Sequence, residues 1–192
     1  MLLLRTRKRT KALSTGFGSE ISPDTIRAAQ EGRRDAQRVI FEVFQRPVLT
    51  LLRGLCKEPE LARDLAQDVF VQAFAKLNQL RETSAFGGWL KQLTLNTAFA
   101  YFRRPTNQNH SLEDEAESES VDWHSQADWL SRVDDIEALF SVLSDEERLI
   151  VWLFVVEDYS HQELAEQFAI SATAVRQRYH RALQKLKDRS QS

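Results

Sequence analysis

Apolar side chains in this chain recur at helical spacing, and runs that alternate in the manner of strands are hard to find. The clearest case spans Leu61 to Leu80. Leu61, Ala62, Leu65, Ala66, Val69, Phe70, Ala73, Phe74 and Leu77 share one broad face at the 3.6-residue period, while Asp64, Gln67, Asp68 and Val71 gather opposite. The same spacing runs from Ile26 to Cys56, with an interruption expected at Arg46-Pro47 and a break at Glu58-Pro59. Ser22-Pro23-Asp24 has the grammar of a helix start: a capping hydroxyl, a proline at the first helical position and an acid in the first turn. A polar loop, "RETSAFGG", is expected before a further helix that begins at Trp89, with Trp89, Leu90 and Leu93 on its apolar stripe, and ends at Arg103-Arg104, where Pro105 stops it.

Towards the C-terminus the elements shorten. Ser144 and Glu147 form a capping box, Ser160 and Glu163 form another, and Ser171 can cap a third helix. In that last helix Val175, Tyr179, Ala182, Leu183 and Leu186 make the inner stripe; Thr173, Arg176, Gln177, His180 and Gln184 lie opposite, flanked by Ala174, Arg178 and Arg181. The expected fold class is all-α. Two small helical domains, 22–104 and 126–189, are joined by an acidic flexible linker at 105–125 and preceded by a basic, disordered tail at 1–21.

Composition narrows the function. One cysteine, Cys56, excludes an internal disulfide or a cysteine-rich zinc site, and its leucine neighbours make it a small core residue in a reducing, cytoplasmic setting. The leucines at 2–4 precede the basic cluster, the wrong order for a secretory signal, and no run is long enough to insert in a membrane. No phosphate loop, metal-binding HExxH or nucleophile constellation is present, so neither catalytic residues, nor a metal, nor a cofactor is expected.

A net charge of −2 argues against a simple free-standing DNA binder, but its distribution is uneven. Residues 105–131 hold seven acids and no Lys or Arg, whereas residues 171–192 hold six bases against Asp188. In the basic segment a small Ala165, a turn at Ala169 where glycine is more usual, and Val175 match helix-turn-helix spacing. The outward face can then enter a major groove, with Arg176 and Gln177 suited to guanine and adenine edges, and Ser171, Thr173, Arg178, His180 and Arg181 completing the contact set.

Three stretches together resemble one family. "ARDLAQDVFVQAF" is similar to the polymerase-binding helix of bacterial RNA polymerase sigma factors, "FGGWLKQLTLNTAFAYFRR" resembles the −10 promoter segment, and Leu143 to Leu186 resembles the −35-binding domain. Their order and the acidic linker match the extracytoplasmic-function group, which keeps only these two domains. The resemblance implies that Asp64, Gln67, Asp68 and Val71 dock on the β′ clamp helices, with the β flap as a second contact. It implies that the loop Thr83–Gly88 and the helix after it open the −10 element, through Phe86, Asn96, Tyr101, Arg103 and Arg104. It further implies promoter DNA and an anti-sigma factor as partners. Ala100 stands where the family has an aspartate four residues after the asparagine, Thr173-Ala174 replaces a frequent Gly-Thr, and Asp158 takes a site commonly glycine. The alternative reading of the residues is a stand-alone helix-turn-helix regulator with an N-terminal dimerisation or sensor domain.

Overall fold

Ser22 opens the first helix as its pattern predicts, its hydroxyl accepting from the Asp24 amide at 3.2 Å, with Pro23 at the first helical position. The computed structural model describes residues 16–103 and 137–190, and the regular structure among these residues is helical. Helix α1 spans Pro23–Gln30, α2 Arg34–Leu55, α3 Pro59–Lys76 and α4 Phe86–Phe102; α5 spans Asp145–Val155, α6 His161–Phe168 and α7 Ala172–Ser190. Residues 1–15, the acidic linker and the expected start of the second domain at 126 lie outside the described residues.

The Ile26–Cys56 segment breaks at a different place from the one expected. Gly32, at φ 85°, ends α1 and turns the chain, whereas α2 runs straight through Pro47. An interior proline costs a helix about 3 kcal/mol. Here Pro47 is itself buried, among Phe44, Val48, Leu49, Leu51 and Leu52, so burial along this face outweighs the lost hydrogen bond. Phe17, expected in the tail, is instead buried in the core.

Helix α3 buries the predicted face: Ala62, Leu65, Ala66, Val69, Phe70 and Ala73 are covered by α2 and α4. It ends at Lys76, and a 3-10 turn at Leu77–Gln79 follows, held by the Gln30 amide, which donates to the Leu77 and Leu80 carbonyls at 3.0 and 2.9 Å. The expected loop at 81–88 is largely helical. A 3-10 turn at Thr83–Ala85, capped by Glu82, leads directly into α4, because Phe86 is a core anchor rather than a loop residue.

Both capping boxes form. Ser144 and Glu147 exchange hydrogen bonds at 2.9 and 3.3 Å, and Ser160 and Glu163 do so at 2.7 and 3.2 Å. Cys56 caps α2, fully buried, and burial pushes its thiol up to about 12. Among the described residues, no helix is long and apolar enough to cross a membrane.

Candidate nucleic-acid interface

The helix-turn-helix is built by small residues and a left-handed turn. Leu164 and Ala165 of α6 are buried, and Ala169 ends the helix at φ 51°, ψ 42°, which lets the Ile170 amide donate to the Ala165 carbonyl at 3.1 Å. This is the geometry that glycine adopts without steric cost, which accounts for its usual presence there. The chain then re-enters a helix at once, with the Ser171 hydroxyl accepting from the Ala174 amide at 3.1 Å. Val175 and Ala182 are fully buried, and Tyr179 packs on Phe154 at 4.6 Å between ring centroids. Leu183 is the exception in the predicted stripe, being 38% exposed.

This packing turns Ser171, Thr173, Arg176, Gln177, His180 and Arg181 to solvent along one side of α7. Arg178 is only half exposed and pairs with Glu146 at 3.1 Å, so it braces α7 on α5 instead of standing with the others. A second brace is Lys185, which reaches Glu147 at 2.7 Å. Burial pushes the Glu147 carboxyl up, but the Lys185 ammonium and the Ser144 amide outweigh it and hold it below the usual carboxylate range.

On the first unit, Asp64, Gln67, Asp68 and Val71 are all exposed on α3, Val71 at 63%. They lie opposite its buried face and add nothing to the core. An exposed valine flanked by acids is a surface that a partner can cover.

The expected −10 residues do not form one set. Phe86 is 1% exposed and meets the Phe44 and Trp89 rings at 5.1 and 5.7 Å, so its ring is core and is withdrawn from base contact. Trp89, expected in the core, is half-buried. Asn96 is exposed and accepts from the Gln92 amide at 3.0 Å. Tyr101 is half-exposed, Arg103 is exposed at the end of α4, and Arg104 lies outside the described residues. Sequence reasoning missed Gln92. Its signal was spacing: Gln92, Asn96 and Ala100 stand at i, i+4 and i+8 and form one exposed strip leading to Arg103.

The fold and these faces define a class, namely a two-unit helical protein with a helix-turn-helix whose second helix exposes a basic, polar side, and with a separate helix that exposes an acidic side. Comparison with known proteins specifies it. Residues 40–108 match Sigma-70 region 2, and residues 134–186 match Sigma-70, region 4. The RNA polymerase sigma-H factor of Pseudomonas aeruginosa is 28% identical over 169 residues, covering 82% of this chain and 87% of that protein. The ECF RNA polymerase sigma-E factor of Haemophilus influenzae is 28% identical over 185 residues, covering 86% and 93%. The "Probable RNA polymerase sigma factor RfaY" of Xanthomonas campestris is 27% identical over 162 residues; this chain spans 80% of itself but 40% of that protein's length. The chain belongs to the sigma-70 family of RNA polymerase sigma factors, within the extracytoplasmic-function group. It is an alternative sigma factor that directs transcription initiation.

Proposed function

We propose that α3 docks this protein on the clamp helices of the polymerase β′ subunit through Asp64, Gln67, Asp68 and Val71, while α7 reads the −35 element and α4 helps to open the −10 element. The observation that carries this reading is the pair of opposed faces: an acidic row on α3 and a basic, polar row on α7, both exposed and neither used by the core. Arg176 and Gln177 would meet base edges, with Arg181 and Ser171 at phosphates. On α4 the strip Gln92, Asn96 and Arg103 would hold unstacked bases and backbone, with Tyr101 beside it. The protein would contribute no catalytic group: strand opening follows from tighter binding of unstacked than of paired bases, at about a few kcal/mol per step.

Work on polymerase implies a cytoplasmic location, and family resemblance adds the β flap and an anti-sigma factor as partners. A gel shift with promoter fragments, run with and without core polymerase, tests the whole reading. Weak binding alone and tight, promoter-specific binding with core enzyme is expected. Tight palindrome-specific binding by the chain alone overturns it in favour of a stand-alone regulator.

A further inference from the structure

Ahead of α1 the chain makes a short strap, Gly16–Ser19, that no helical period announces. Gly16 turns it at φ 83°, and the Ser19 amide and hydroxyl both donate to the Gly16 carbonyl, at 3.2 and 2.8 Å. Glycine adopts this conformation without steric cost, and a Cβ there would also press on Pro47 of α2 at 3.1 Å. The turn lays Phe17 into the core, 8% exposed, while Gly18 and Ser19 return to solvent.

The strap lands on the first turn of α4. A Cβ on Gly87 would overlap the Phe17 carbonyl oxygen and would stand 3.7 Å from the Phe44 ring, so this turn is pinched between the strap and α2. It has no side-chain cap of its own, because Ala85 occupies the N-cap position. The amides that open a helix carry partial positive charge, and the Phe17 carbonyl brings partial negative charge close to them. What the pinched turn presents is exposed: Ser84, Ala85 and Gly88 lie at the surface with Trp89 half-buried beside them, and Gln92, Asn96 and Arg103 continue outward along the same helix. Where the first turn sits therefore decides where that strip sits. The strap lies ahead of residues 40–108, the stretch that matches Sigma-70 region 2.

We propose that the Gly16–Ser19 strap is a positioning device for promoter opening: it holds the 83–88 turn, and through it α4, in the placement that separates the −10 strands. This role rests on the −10 reading of α4 given above. A turn fixed in advance need not be ordered on the DNA, so more of the binding free energy is left to unpair bases. On DNA whose −10 strands are already unpaired, that advantage is no longer needed.

Run-off transcription with core polymerase tests it, on a duplex promoter and on the same promoter carrying a mismatched −10 bubble. Two variants disturb the strap in different ways. Phe17→Ala empties the plug, and Gly16→Val keeps the plug but places a β-branched side chain at a positive φ, which misdirects the turn. Both should bind core polymerase as wild type does in a pull-down. Both should lose about tenfold on the duplex and stay within about twofold of wild type on the bubble. Phe17→Leu, which keeps an apolar plug, should recover most of the duplex activity. The strap's role is overturned if neither variant shows this duplex-only loss, whether because both transcribe the duplex like wild type or because they fail equally on the bubble, the mark of a damaged fold. The double substitution Gln92→Ala, Asn96→Ala tells this apart from the underlying reading. If that variant keeps full duplex activity, the −10 reading of α4 fails; if it is defective while the strap variants are not, the strap alone fails.

Discussion

Among the described residues, two other than glycine occupy backbone conformations that L side chains avoid, Asp158 at φ 61° and Ala169 at φ 51°. Aspartate tolerates the left-handed region better than alanine does, so the strain is concentrated at Ala169. Replacing Ala169 with glycine should raise stability by about 1 kcal/mol, seen as a higher thermal midpoint, with DNA reading unchanged because the turn geometry is kept. Glu147 gives a second residue-scale test. Its folded-state carboxyl titrates below the ordinary 4.5, so its contribution is present above that value and is lost as pH falls through the depressed one. Glu147→Gln should therefore unfold at a lower temperature than wild type at pH 7, with the gap closing in thermal melts taken progressively below about pH 4.5.

At the scale of the element, each helix does its structural work with one side and offers the other. In α3 the buried side is aligned by α2 and α4, so the acidic side can change without affecting the fold. The double substitution Asp64→Ala, Asp68→Ala should leave the free energy of unfolding within about 0.5 kcal/mol of wild type while reducing core polymerase binding in a pull-down. Arg176→Ala on α7 should do something different: core binding intact, −35 discrimination weakened by about 1–3 kcal/mol in competition with mutated promoters. Element existence was readable because burial follows a single period over many turns, as in α3, and because caps such as Ser144–Glu147 are local chemistry. Element boundaries were less so. Pro47 reads as a stop in isolation, and only the apolar partners around it explain why α2 continues. Phe86 reads as a loop aromatic free to stack on bases, and only the Phe44 ring explains why it is core.

At the scale of the whole molecule, the division of charge between an acidic middle and a basic end was visible in the chain, as were the two units and their order. The join between them was not: there Arg148 donates to the Gly54 and Arg53 carbonyls at 3.0 and 2.8 Å, and the Trp152 indole lies directly on Gly54. Arg148 follows Glu146 and Glu147 like any surface arginine of a capped first turn, and Gly54 sits in a leucine-rich helix with nothing nearby to explain it. Their meaning depends on α5 meeting the end of α2, a pairing distant in sequence that no local period encodes. For the same reason the candidate DNA face of α7 was legible as a pattern, while the removal of Arg178 from it by Glu146 required three dimensions.

The sealed thiol of Cys56 has a practical consequence. It caps the helix end that Arg148 grips, and the charges of Arg148, Asp145 and Glu137 all act on it. With its ionisation pushed to about 12, it should react with alkylating reagents only when that region comes apart. The chain thus carries a built-in stopwatch. The rate at which native protein consumes a thiol reagent counts openings, and it should rise in Gly54→Ala, whose added methyl would overlap the Trp152 indole.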